Sequence, residues 1–396
     1  MPTQPDRRSF LTRAVAACCL APALAAAQPG RRDRDHGQDR PRRPGGSRGP
    51  VVISSANGVA AITRAHAMLT GGADPLDAIV AGVRIVEDDP DDMTVGLGGL
   101  PNEEGVVELD SCVMHGPMAR SGAVASLRNI KNPVAVAREV ARRTDHCLLV
   151  GEGALRFAKR LGFKEQNLLT EKAREAWLRW RSRLNRDDDW LQPDEFDLPT
   201  EGHDGRGAAL PSPARRGADG GRSPARRALT LRDHLEWIDG VPYTTGTIHC
   251  SARTSSGDLA GCTTTSGLSW KIPGRVGDSP IIGAGCFTDN AVGSAGGTGR
   301  GEAVIQTCGA HTIVTRMDAG DHPTDACLYA LKKIADTTKP ARLLTDDGRP
   351  NFQVVYYALR KDGAYGSASL WSGRQFAVAG AGSGSRREDC AFLYER

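Results

Sequence analysis

Apolar and polar positions along this chain change period several times, and each change marks an element. The run VVISSA from Val51 opens continuously apolar and then turns small and polar, which predicts a buried strand. GVAAITRAHAML follows with helical spacing and stops at Gly71-Gly72. In LDAIVAGVRIVEDD, Leu76, Ile79, Val80, Val83 and Val86 share one helical face, and Pro90 closes the segment. VGLGGLPNEEG reads as a glycine-rich loop, and VVELDSCVM and GAVASL as two strands. NPVAVAREVARRT is an amphipathic helix with Pro133 in its first turn, and LLVGEGALRFAKRLG is a short strand running into a helix.

From Thr247 onward the pattern becomes β-rich. TIHCSART and LAGCTTTSG flank the turn cluster SSGD and predict a hairpin. A glycine-rich stretch from Gly274 to Gly301 then opens one helix, EAVIQTCGAHTIVTRM, and TDACLYALKKIADTT makes another. A last antiparallel pair is expected in NFQVVYYALRKDGAYGSASL. Strands, helices and strands again predict an α+β fold with stacked sheets covered by helices.

Two segments break the pattern before any strand begins. Residues 1–27 carry adjacent Arg7 and Arg8, then Phe10-Leu11, an alanine-rich stretch, and small residues at Ala25 and Ala27. This is the layout of a twin-arginine export signal, and it predicts a periplasmic or extracellular protein. Lipoprotein attachment at Cys18 is the alternative, set back by a short apolar region that Arg13 interrupts. Residues 28–50 are rich in Arg, Asp, Gly and Pro and have little to bury, so they read as a disordered basic linker. A third such segment, residues 185–230, runs from DDDW into LPSPARRGADGGRSPARR and reads as a mobile low-complexity insertion ahead of Thr247.

Composition narrows the partners. The 396 residues are 39% hydrophobic and 25% charged, enough for a large core. A net charge of +4, partly held in those tails, gives no reason to expect nucleic acid. No apolar run reaches the roughly 18 residues of a membrane span. The ten cysteines contain no CxxC pair, so no metal or cofactor is expected, and Cys262 and Cys286 read as core thiols. The GEG of LLVGEGAL lacks the third glycine of a dinucleotide turn and reads as a tight strand-to-helix turn. His249 and Cys250 are neighbours in a strand, so they point to opposite faces and cannot act as a pair.

The second half holds GTIHCSARTSSGDLAGCTTTSGLSWKIPGRVGDSPIIGAGCFTDNAVGSAGGTGRGEAVIQTCG, and the first half VEDDP, VGLGG, VELDSCVM, GAVASLRNIKNPVAVAR and LLVGEGAL. In this order the motifs resemble the glycosylasparaginases, a branch of the threonine-type N-terminal nucleophile hydrolases, over about residues 51 to 396. The resemblance implies a four-layer αββα sandwich and self-cleavage between Gly246 and Thr247. It makes residues 51–246 and 247–396 the α- and β-subunit parts of one domain, in an (αβ)₂ assembly. It implies a small asparagine derivative as substrate, foremost N-acetylglucosaminyl-asparagine, with Thr247 as nucleophile. Thr265 would orient that hydroxyl, and Thr298 with the Gly299 N–H would form an oxyanion hole. In GRVGDS, Arg275 would hold the substrate α-carboxylate and Asp278 the α-ammonium. Val276, Gly277, Arg300 and Gly301 complete the implied binding set. Read as isolated residues, Arg275 and Asp278 would more simply form a structural ion pair in a turn.

Two positions depart from that family. Gly246 stands where an aspartate precedes the nucleophile, and Ser55 where a tryptophan follows the first strand. Both favour a second reading as a plant-type asparaginase or isoaspartyl peptidase. A third reading is a secreted binding protein on a decayed hydrolase scaffold.

Overall fold

The first expected strand lies well inside a large sheet. In the computed structural model, which describes residues 49–182, 235–238, 241–244, 246–380 and 383–396, β1 (Val51–Ser55) is buried at every position. The expected export signal at 1–27, nearly all of the linker and the insertion at 185–230 lie outside the described residues. The described residues belong to one compact unit, Arg43–Arg396.

Helices α1 (Val59–Thr70) and α2 (Pro75–Glu87) follow β1. The Asp74 carboxylate caps α2 by accepting from the Leu76 and Asp77 N–H groups, and Pro75 preorganises its first turn. Strands β2 (Leu109–His115) and β3 (Arg120–Leu127) form a hairpin. Then come α3 (Pro133–Arg143), β4 (Leu148–Val150), α4 (Gly151–Arg160) and α5 (Glu171–Arg181). A short antiparallel pair, β5 (Leu235–Ile238) and β6 (Val241–Thr244), leads to the expected hairpin of β7 (Ile248–Arg253) and β8 (Leu259–Thr265).

The next stretch corrects the sequence reading. The glycine-rich segment from Gly274 contains two strands, β9 (Cys286–Asp289) and β10 (Gly293–Gly299). GSAGGTG has no large side chain to reveal a period of two, and glycine is normally depleted from strands. Here the small residues let β10 pack against β7 and β8 of the other sheet. The expected single helix is two, α6 (Gly301–Thr307) and α7 (Gly309–Asp318), broken where Cys308 turns left-handed at φ +47°. After α8 (Pro323–Thr337), strands β11 (Val354–Arg360) and β12 (Tyr365–Trp371) form the expected pair, but it is not the last. Strands β13 (Gln375–Gly380), β14 (Ser383–Asp389) and β15 (Ala391–Tyr394) follow it.

One sheet has the order β14-β13-β1-β7-β8-β2-β3-β4 and the other β15-β12-β11-β10-β9. Ile62, Leu76, Ile79 and Val83 of α1 and α2 bury against Val113 and Ile248 of the larger sheet. Ile313 and Leu331 of α7 and α8 bury against Tyr356 and Leu370 of the smaller. Val51, Ile53 and Val378 of the larger sheet meet Val355, Tyr357 and Leu359 of the smaller. The apolar faces removed from water in these clusters supply the main drive for folding. Cys262 and Cys286 are fully buried, as expected of core thiols. Among the described residues no helix is long and apolar enough to cross a membrane.

Candidate active site

Strand β7 starts one residue after Thr247, and β8 ends on Thr265. Because Ile248 pairs with Thr264, the two threonines come side by side at the strand ends. The Thr247 hydroxyl donates to Thr265 Oγ1 across 3.1 Å, and the Thr265 hydroxyl donates to the Gly246 carbonyl oxygen across 2.8 Å. The Gly267 N–H also donates to Thr265 Oγ1, at 2.9 Å. With its single proton committed to Gly246, Thr265 is left as the acceptor of the Thr247 proton.

Gly246 is tied at both ends. Its N–H donates to Thr244 Oγ1 at 2.7 Å, while its carbonyl takes the Thr265 proton. A Cβ added at 246 would lie 2.3 Å from Thr94 Cγ2 and 2.4 Å from Thr94 Cβ. The residue that resemblance led us to expect there, aspartate, therefore has no room. Thr94 is held in turn by Asp92, whose carboxylate accepts from both the Thr94 N–H and its hydroxyl. Ser55 is buried beside this corner: it donates to Asn57 Oδ1 at 2.7 Å and accepts from the His249 N–H at 3.3 Å. It thus braces the start of β7.

Thr247, Thr265, Arg275, Gly277 and Asp278 line one cleft. Gly299 and Gly301 line it too, together with Gly267, Leu268 and Ser279. Gly299 has φ +116°, and a Cβ there would meet the Gln353 carbonyl oxygen at 2.3 Å, so only glycine turns β10 into α6 at this point. Four of the expected residues do not line the cleft. Gly246 is buried behind Thr247, and Val276 is half-buried. The Thr298 hydroxyl lies 3.0 Å from the Tyr357 hydroxyl, and the Arg300 guanidinium sits over the Phe352 ring.

The turn ion pair between Arg275 and Asp278 does not form. Arg275 instead donates through Nε and Nη2 to Glu302 Oε1, at 2.9 and 2.7 Å. Burial opposes ionisation of Glu302, but the Arg275 guanidinium outweighs it and holds the carboxyl below its usual range. Asp278 is buried, and its Oδ2 has no hydrogen-bond partner. Burial pushes its pKa up to about 7, against the pull of Arg275. A buried carboxylate oxygen without a hydrogen bond is costly, and a cationic group entering the cleft would relieve it. Lys271 lies beneath, donating to the Ser266 and Glu108 carbonyls at 3.1 Å each, with burial pressing its pKa down.

Sequence reasoning missed Thr94, Lys271, Glu302 and Tyr357. Glu302 stands inside the quoted TGRGE and Thr94 next to VGLGG, so both had a signal. Tyr357 had none, because it reaches Thr298 from a strand 59 residues away.

Together these groups place a hydroxyl against a carbonyl, with an anionic and a cationic group beside it. That set suits attack on an amide carried by an amino acid. Among the described residues no group of three His, Cys, Asp or Glu is placed to hold a metal ion. A family model described as asparaginase matches residues 50–342. The N(4)-(Beta-N-acetylglucosaminyl)-L-asparaginase of Elizabethkingia miricola is 37% identical over 331 residues, covering 83% of this chain and 81% of that protein. The mouse (Mus musculus) N(4)-(beta-N-acetylglucosaminyl)-L-asparaginase is 32% identical over 323 residues, covering 81% and 84%. The rat (Rattus norvegicus) protein of the same name is 34% identical over 287 residues, covering 72% and 77%. With a family model matched over most of its length and relatives this similar over most of both chains, the chain belongs to the asparaginase family.

Proposed function

We propose that this protein is a self-processing amidohydrolase that cleaves the side-chain amide of asparagine derivatives, foremost N4-(β-N-acetylglucosaminyl)-L-asparagine. The observation that carries it is the Thr265 hydroxyl, shared between the Thr247 hydroxyl and the Gly246 carbonyl. In the uncut chain, Thr247 Oγ1 attacks the Gly246 carbonyl carbon while Thr265 polarises the carbonyl oxygen. The Gly246–Thr247 C–N bond breaks, the nitrogen takes the hydroxyl proton, and an ester remains. Water hydrolyses that ester, leaving a carboxylate on Gly246 and a free amine on Thr247.

The new α-amine, with an ordinary pKa near ~8, takes the Thr247 hydroxyl proton at neutral pH. Thr247 Oγ1 then attacks the substrate amide carbon, and the departing glycosylamine leaves with a proton. Water cleaves the resulting aspartyl ester and releases aspartate. Asp278 meets the substrate ammonium, while Arg275, braced by Glu302, meets the α-carboxylate. Thr298 and the Gly299 N–H stabilise the charge that develops on the amide oxygen.

The part ending at Gly246 and the part beginning at Thr247 would stay together after cutting. Strand β1 is hydrogen-bonded between β7 and β13, and β2 pairs with β8. The helix–sheet–sheet–helix packing of the clusters supports a four-layer sandwich, and the family reading an (αβ)₂ assembly. The twin-arginine pattern supports action outside the cytoplasm.

Mass spectrometry of purified protein tests the cut: a fragment beginning at Thr247 is expected, and Thr247→Ala stays whole. A chain that remains intact yet turns over substrate sinks the proposal. The absence of room at Gly246 favours one second reading, an asparaginase or β-aspartyl peptidase. Glycosyl-asparagine, asparagine and a β-aspartyl dipeptide assayed in parallel separate the two.

A further inference from the structure

We propose that Tyr357 is a positioning residue that aims the Thr298 hydroxyl proton at the reacting amide oxygen. This rests on the reading of Thr298 and Gly299 as the donors of the oxyanion hole. Gly296 pairs with Tyr357 and Thr298 with Val355, so Tyr357 and Thr298 are diagonal neighbours across β10 and β11. Their hydroxyls lie 3.0 Å apart, and both residues are buried.

The difference in acidity between the two hydroxyls decides the direction of that bond. Burial pushes the Tyr357 phenol further above its ordinary value, so it keeps its proton. Among the described residues the Tyr357 hydroxyl has one partner, Thr298 Oγ1, and Thr298 Oγ1 has one, Tyr357. A phenol is the stronger acid and the weaker acceptor of the two hydroxyls, so Tyr357 donates to Thr298 Oγ1. Among the described residues the Thr298 proton is then left without an acceptor, one residue before Gly299, which lines the cleft. A hydroxyl that accepts one hydrogen bond is also a stronger donor in the next.

The Tyr357 ring is fixed from behind. It stacks on His249 with ring centres 5.9 Å apart and planes 9° apart. His249 cannot swing, because its ring nitrogens meet Thr263 Oγ1 and Ser251 Oγ at 2.8 Å each. Strand β7, which leads out of Thr247, therefore also holds the residue that holds Thr298. The nucleophile and the oxyanion donor are placed by one packed unit.

The test is a double-mutant cycle on the processed enzyme with Tyr357→Phe and Thr298→Ala, assayed on an asparagine derivative. Tyr357→Phe should lower kcat about 10-fold and leave KM and the cut at Thr247 unchanged, a smaller loss than removing the donor outright. It should cause no further loss in a Thr298→Ala background, which a merely structural role for the phenol would not produce. If Thr298→Ala is impaired while Tyr357→Phe has the parent kcat, the role of Tyr357 is refuted and the oxyanion reading stands. The same loss from Tyr357→Phe in both backgrounds also refutes it. If Thr298→Ala keeps full kcat, both readings fall together.

Discussion

Thr94 occupies the space that any side chain at Gly246 would need, with its Cγ2 only 2.3 Å from where a Cβ would stand. The residue before Thr247 is therefore glycine because of a side chain far earlier in the chain, that of Thr94. Gly246→Ala should destabilise the fold by roughly 1–3 kcal/mol through overpacking and slow the internal cut. Adding Thr94→Gly should recover most of that stability. Thermal melts and time courses of the cut check both, and an unstrained Gly246→Ala protein would refute the steric account.

The Thr265 hydroxyl donates to the Gly246 carbonyl, the bond proposed to break. Thr265→Val keeps the shape and removes that donor, so self-cleavage should slow on the order of 10²-fold. Gel time courses on freshly refolded chain measure it. Cleavage at the parent rate would remove Thr265 from the processing step.

Asp278 gives the cleft its pH response. With its pKa pushed to about 7, the carboxyl of the empty site is partly protonated near neutrality. An ammonium needs the carboxylate, so binding of aspartate should release a proton near pH 7 and weaken as pH falls. Calorimetry in two buffers of different ionisation enthalpy reads that proton directly. Binding that releases none would mean Asp278 does not face the ammonium.

Glu87 links pH to stability away from the cleft. Its carboxylate accepts from Thr264 Oγ1, the Val134 N–H and Asn132 Nδ2, yet burial still pushes its pKa to about 8. The folded value lies above the unfolded one, so its contribution is full below the ordinary carboxylate range and lost as pH rises towards 8. Glu87→Gln should flatten that decline, narrowing the stability difference between pH 5 and pH 8 by about 2 kcal/mol. Denaturant midpoints at both pH values check it; an unchanged difference would show that Glu87 is ionised throughout.

Local pattern determined a good deal of this protein. The heptad-like apolar face of α2, the hairpin around SSGD and the run of motifs from TIHC to TGRGE were legible because each depends on near neighbours. The family resemblance, not local pattern, named Thr247, Thr265, Arg275 and Asp278 as a set, which the cleft does bring together. Strands β9 and β10 were not legible, since glycines carry no side-chain alternation and are strand residues only where another sheet comes close. The partner of Arg275 was also out of reach: spacing suggested Asp278 and the fold supplied Glu302.

What tertiary structure alone decided is which groups meet across long stretches of chain. Thr94 dictates Gly246, Tyr357 meets Thr298, and Asp278 Oδ2 is left without a hydrogen bond in a buried wall. The physical reason is common to all three. A residue type and its neighbours set what a side chain can do, but volume exclusion, proton direction and desolvation depend on what the rest of the chain packs around it.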